Sequence, residues 1–150
     1  MFNNVLIVCH ANVCRSPAAE MVFKARHRKT GHSSRLAISF HSAGICAIDG
    51  RAMDPVMRGL LAERGVAPGA HRSRRLNPDI VRAADLVLVT EHRQVREVET
   101  LESTARGKVL PLGNWEGSDV TDPHGRDEVT YKASLDLIDH LVIGWLDKIC

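Results

Sequence analysis

An unbroken apolar run, Val5–Val8, ends at Cys9-His10-Ala11-Asn12-Val13-Cys14-Arg15-Ser16, and Pro17 follows directly. This junction constrains the fold more than any other feature of the chain. A short run of Val, Leu and Ile reads as a strand covered on both faces. Ser16-Pro17 reads as a helix start, with Ser at the cap and Pro at the first helical position. A buried strand feeding a helix through a tight loop opens a βα unit. Such units build parallel sheets, whose ligands bind beyond the carboxyl ends of the strands.

The remaining chain continues the alternation. Ala18, Met21, Val22 and Ala25 recur at helical spacing, and Ile38–Phe40 is a strand candidate. Asp54-Pro55 opens a second helix, carrying Val56, Leu60 and Leu61 and ending near Gly65; Asn77-Pro78 caps a short third one. Leu86–Val89 is the clearest buried strand, followed by a helix around Val95–Leu101 and a strand at Val109–Leu112. The last helix shows a stripe of Tyr131, Leu135, Ile138, Val142, Trp145 and Ile149 at 3/4 spacing, which makes Trp145 a core residue. An α/β fold follows, with helices on both faces of a parallel sheet. With 150 residues and no linker or repeat, a single domain over 1–150 is expected.

Composition narrows the function classes. A net charge of +2 gives no ground for nucleic-acid binding, and the tightest basic run, Arg72-Ser73-Arg74-Arg75, reads as a solvated face. No apolar run approaches the ~20 residues of a membrane span, and Val5–Val8 is too short for a signal peptide. Four cysteines (Cys9, Cys14, Cys46, Cys150) are few for a disulfide scaffold and lack zinc-site spacing. The expectation is a cytoplasmic protein without metal or cofactor.

The loop after the first strand carries the chemistry. Such a loop can turn its backbone N–H groups inward as an anion-binding nest. The helix behind it adds its positive dipole end, and Arg15 supplies a planar fork for two phosphate oxygens. The nucleotide-binding G-x-x-x-x-G-K pattern is absent; a cysteine stands at the mouth instead. A thiol among such groups is favoured as thiolate, placed to attack phosphorus and hold a covalent phosphocysteine. The leaving oxygen then needs a proton from a carboxylic acid on another loop. Asp122-Pro123, after the last strand, is the best placed, with Pro123 pushing Asp122 toward an extended conformation.

The V-C-x-x-N-x-C-R-S-P run, Ser42-Ala43-Gly44 after the second strand and Asp122-Pro123 before the final helix together resemble the low-molecular-weight protein tyrosine phosphatase family. The resemblance covers essentially the whole chain. It implies a three-layer α/β/α fold with a four-stranded parallel sheet in order 2-1-3-4. It implies Cys9 as nucleophile, Arg15 as phosphate ligand and Asp122 as general acid, then base. His10, Ala11, Asn12, Val13, Cys14, Arg15 and Ser16 would form the phosphate loop. Ser16 would hydrogen-bond the Cys9 thiolate, and Asn12 would hold the loop through Ser42 and His71. Cys14 resembles the second loop cysteine, which can form a protective disulfide with Cys9. Ile45 to Asp49 and Leu112-Gly113-Asn114-Trp115 look most like the Gram-negative bacterial branch. That likeness implies a phosphotyrosine protein as substrate, an autophosphorylated tyrosine kinase controlling capsule or exopolysaccharide export, with phosphate as product and inhibitor.

Departures from the family pattern matter as well. Ala11 stands where Gly is usual, which puts a positive φ there in question. His124 replaces a Tyr, and Ile48 a Trp, on the slot walls, so ring stacking must be weaker or come from His124 or His10. The slot is expected to be apolar rather than aromatic, with a modest preference for phosphotyrosine. Two rivals remain: an arsenate reductase of the same fold, and a phosphoprotein-binding module without turnover. The first needs a relay of further cysteines, and none lies between Cys46 and Cys150. The second is disfavoured by the full catalytic set.

Overall fold

The computed structural model describes residues 2–29 and 37–150. Its elements run β1 (Asn4–Cys9), α1 (Arg15–Lys29), β2 (Ser39–Gly44), α2 (Pro55–Glu63), α3 (Pro78–Ala83), β3 (Leu86–Val89), α4 (Arg93–Leu101), β4 (Val109–Pro111) and α5 (Glu128–Ile149). The four strands form one sheet in order β2-β1-β3-β4, and each neighbouring pair is parallel. The three-layer expectation and its strand order hold.

The continuous apolar strands have a simple cause. Val5 and Ile7 of β1, with Leu86 and Leu88 of β3, face a core shared with α1, α2 and α5. Leu6 and Val8, with Val87 and Val89, face the other core, against Val81 of α3 and Val98 of α4. Successive side chains alternate between faces, so both must be apolar when both faces are covered. Full burial of each such side chain contributes about 1.5–3 kcal/mol. In α5, Leu135, Ile138, Val142 and Trp145 line the buried stripe, and the Trp145 indole N–H donates to the Leu112 carbonyl at 2.7 Å.

Helix starts follow their side chains. Asp54 caps α2 by accepting from the Val56 and Met57 amides, and Asn77 caps α3 by accepting from Ile80. Ser16 departs from expectation. Helix α1 begins at Arg15, and the Ser16 hydroxyl turns toward Cys9 and Asn12. The second strand departs too. It spans Ser39–Gly44, so Ser42-Ala43-Gly44 lie within it rather than after it. Its length is set by main-chain pairing with β1, from Asn4↔Ser39 to Cys9↔Gly44, while its polar residues face other tasks. An apolar-run criterion stops at Phe40 and misses them.

Gly44 ends β2 beneath the loop that follows β1. A Cβ there would lie 2.8 Å from the Ala11 carbonyl carbon, the Asn12 nitrogen and the Ala47 Cβ. Two of these are backbone atoms and cannot rotate away. Gly44→Ala is therefore expected to destabilise the protein by about 1–3 kcal/mol in urea unfolding. An unchanged midpoint would show that the loop yields freely.

Candidate active site

Strand β1 delivers Cys9 to the carboxyl edge of the sheet, and the loop to α1 wraps around its sulfur. The loop carbonyls point outward. Cys9 O accepts from Ile45 N (3.0 Å), His10 O from Cys46 N (2.8 Å), Val13 O from Asp54 N (2.7 Å) and Cys14 O from Ala18 N (3.1 Å). His71 Nε2 sits 2.7 Å from Asn12 O. With its carbonyls so occupied, the loop's N–H groups are left for the cavity, the arrangement of an anion nest. The Asn12 amide already donates to Cys9 Sγ at 3.3 Å.

Asn12 is fully buried and holds a left-handed φ of 57°. Ala11 has no positive φ; the strained turn falls on its neighbour, a residue type that tolerates it. The Asn12 amide group is fixed from both ends. Its Oδ1 accepts from Arg74 N at 2.9 Å. Its Nδ2 donates to Ser16 Oγ at 2.8 Å and to Ser42 Oγ at 2.9 Å. Ser42 in turn donates to Glu20 Oε1 at 2.6 Å. Ser16, having accepted from Asn12, keeps its own hydrogen for Cys9 Sγ at 2.9 Å. Donation thus branches from Asn12 Nδ2, one arm ending on the Cys9 sulfur through Ser16 and the other on Glu20 through Ser42.

The opposite side of the site is built on Arg15, which is 3% exposed. Its Nη1 donates to Glu91 Oε2 at 2.5 Å and to Val120 O at 3.0 Å. Its Nη2 stands 3.9 Å from Asp122 Oδ2. Burial would raise the Glu91 carboxyl, but hydrogen bonds from Arg15 and Arg93 outweigh it and hold it below the ordinary range. Glu91 was not legible from its position after β3. Its placement depends on Gln94, fully buried, whose Oε1 accepts from Glu91 N at 2.9 Å and Thr90 Oγ1 at 3.0 Å.

Above the loop lies a cleft of about 420 Å³. Cys9, Arg15, Asp122, Ile48 and His124 all line it, as does the exposed Cys46, which no sequence motif had placed there. Ala52, Met53 and Pro55 make its walls largely apolar. His10 does not belong to it. It lines a neighbouring polar groove with Glu91, Arg93 and Arg126, one that shares Arg15 and Asp122 with the cleft. Of the two histidines, His124 is the one that lines this cleft. Cys14 is 3% exposed. Its thiol is pushed far up by burial, then by the charges of Asp54, Asp122 and Cys9, against the pull of Arg15. It remains a protonated neighbour of Cys9.

A family model described as low molecular weight phosphotyrosine protein phosphatase matches residues 4–150. The chain belongs to that family. It is 31% identical to the low molecular weight protein-tyrosine-phosphatase Ptp of Acinetobacter johnsonii, over 99% of each chain. The crystal structure of the Erwinia amylovora tyrosine phosphatase AmsI superposes with a TM-score of 0.90, at 28% identity, covering 99% of this chain and 93% of that one. The YwlE arginine phosphatase, as a cysteine-to-serine mutant with a phosphorylated active site serine, gives a TM-score of 0.89 at 30% identity, covering 97% and 95%.

Within this phosphatase fold the Arg72–Arg75 run is not simply a solvated face. Ser73 is buried, and its Oγ bonds Ile48 O and Arg51 N. Arg74 supports the loop, its amide reaching Asn12 and its Nε donating to Ser42 O at 2.9 Å. Among the described residues no group of His, Cys, Asp or Glu could hold a metal ion, and no helix is long and apolar enough to cross a membrane.

Removing the Asn12 side chain would orphan a buried network and leave an alanine in the left-handed region. Asn12→Ala is expected to cost about 3–5 kcal/mol in chemical unfolding. Asp54 offers a pH test. Burial would raise its carboxyl, but hydrogen bonds from His124, Tyr131, Met57 and Val56 outweigh it and lower it. Stability from a lowered carboxyl is complete above its unfolded pKa of about 3.9 and is lost as pH falls through the folded value. The stability gap between wild type and Asp54→Asn should narrow as pH falls from about 5 to below about 4. A gap that widened on acidification would contradict this.

Proposed function

We propose that this chain hydrolyses phosphotyrosine on a protein substrate through a phosphocysteine intermediate. The observation that carries the reading is the Cys9 sulfur, which takes an N–H from Asn12 and a hydroxyl from Ser16 in a cleft shared with Arg15 and Asp122. Cys9 thiolate attacks phosphorus, the bond from phosphorus to the phenolic oxygen breaks, and Asp122 gives that oxygen its proton. Arg15 and the loop N–H groups hold the equatorial oxygens as charge spreads over them. Asp122, now a carboxylate, takes a proton from water whose oxygen attacks phosphorus. The P–S bond breaks, returning the Cys9 thiolate and releasing phosphate. Ser16, Asn12, Ser42 and His71 keep the loop in shape. The YwlE serine, phosphorylated in place of a cysteine, supports the covalent step.

The cleft walls favour an aryl ring. Ile48, Ala52, Met53 and Pro55 offer apolar surface, which suits a neutral phenyl group better than a guanidinium. Phosphoarginine is the second reading, because an arginine phosphatase matches the fold about as well as a tyrosine phosphatase does. Likeness to AmsI and the branch features at Ile45 to Asp49 support a cytoplasmic partner: an autophosphorylated tyrosine kinase governing exopolysaccharide or capsule output. Oxidised by a peroxide to the sulfenic acid, Cys9 would condense with the buried Cys14, forming a reversible disulfide and releasing water.

Steady-state hydrolysis tests the reading. Cys9→Ser is expected to abolish turnover of p-nitrophenyl phosphate. Asp122→Ala should lose about 10²–10⁴-fold on a substrate with a poor leaving group. Equal rates in wild type and both variants would favour a binding module. Phosphotyrosine peptides should turn over faster than phosphoserine or phosphoarginine peptides; a faster rate on phosphoarginine would install the second reading.

A further inference from the structure

Asp122 is the proposed proton donor, yet its own side chain is little restrained. It is 53% exposed, and its nearest cation, Arg15 Nη2, is 3.9 Å away. Its position therefore depends on how its loop is tied down. Upstream, Val120 N donates to Thr90 O at 2.9 Å, and Ser134 Oγ donates to Thr121 O at 3.2 Å. Downstream of Pro123, the ties to the body of the protein converge on Asp54.

Asp54 is 4% exposed and divides its two oxygens between two elements. Oδ1 accepts the Val56 and Met57 amides, at 2.9 and 3.2 Å, and starts α2. Oδ2 faces the other way. It meets His124 Nδ1 at 2.8 Å and accepts from Tyr131 Oη at 2.7 Å. The Gly125 amide donates to the same tyrosine oxygen at 3.4 Å. The His124 amide donates to Asp122 Oδ1 at 3.1 Å. One residue thus holds the acid by its backbone and the buried carboxylate by its ring. The ring is 65% exposed, so packing does little to hold it. The hydrogen bond to Asp54 does.

We propose that His124 and Tyr131 are positioning residues that act through Asp54 to hold Asp122 in the cleft above Cys9 for proton transfer to the leaving oxygen. Neither delivers a proton to substrate. Asp54, acceptor-only as a carboxylate, draws two donors from two different elements to one oxygen, and the Asp122 loop is strapped between them. Burial and the Asp54 hydrogen bond push the Tyr131 hydroxyl up to about 12, so it stays a donor through neutral pH. Misplacement of a reacting group by about 1 Å can cost 10²-fold, so loosening this strap should appear selectively where proton donation is demanding.

The proposal rests on Asp122 as general acid, and the experiment separates the two. kcat/KM, which reports the first chemical step, is measured on p-nitrophenyl phosphate and on phenyl phosphate, whose leaving group needs the proton far more. The ratio of the two is compared across variants. Asp122→Ala should raise the ratio by roughly 10²-fold or more. If it does not, the general-acid reading itself fails. Given that rise, His124→Ala and Tyr131→Phe should each raise it by about tenfold. His124→Asn, whose side-chain amide nitrogen can stand where Nδ1 stands, should return it to within about twofold of wild type. If Asp122→Ala shifts the ratio but His124→Ala and Tyr131→Phe lower both substrates in equal proportion, or neither, the strap is overturned. It is overturned equally if His124→Asn matches His124→Ala.

Discussion

Asn12 is the point on which the site depends. A tight loop between a buried strand and a helix must turn through the left-handed region somewhere, and for residues other than Gly this costs roughly 1–2 kcal/mol. Asn12 offsets that cost with its own side chain, which bonds the Arg74 amide, Ser16 and Ser42 at once. The same contacts orient the Ser16 hydroxyl on Cys9 and leave the loop's amides facing the cavity. Strain and function are therefore one arrangement. The turn that exposes the loop's N–H groups is stabilised from within.

The scaffold makes that turn possible. Strand β1 is central, buried on both faces, and registered against β2 and β3 along its length. Its last residue, Cys9, pairs with Gly44, and the absence of a side chain at Gly44 lets the Ala11–Asn12 backbone descend onto β2. Glu91, just after β3, and Val120 and Asp122 of the β4–α5 loop then close around Arg15. Each contributes from the carboxyl edge of the sheet, where parallel strands gather the ends of distant segments.

Residues whose chemistry is local are legible in the sequence itself. The Cys9–Ser16 loop carries the proposed nucleophile, its cation and a helix start in one stretch, and Asp122, sought as a donor on a facing loop, lines the same cleft. Residues whose roles depend on a partner far along the chain are not. Glu91 looks like any charge near a helix start, and only the fold brings it to Arg15, 76 positions away. Asp54 reads as a helix cap, which is true of one oxygen; the task of the other is set by His124 and Tyr131, 70 and 77 residues on. Arg74 is hidden in a basic run. His10 belongs to the same loop but lines the groove beside the cleft, since sequence adjacency does not say which side of a tight turn a residue faces.

The chain's two tryptophans give its solution optics a definite meaning. Trp115, half exposed after β4, and Trp145, buried in α5, sit with ring centroids 4.6 Å apart, and Lys148 lies 5.4 Å over Trp115. Neither lines the cleft above Cys9. Intrinsic fluorescence therefore reports the docking of the last helix against the β4 loop, and a change in emission on adding an anion would be news from that corner rather than from the thiol. Following events at the loop by light calls for a new indole beside it, on the cleft wall at Ile48.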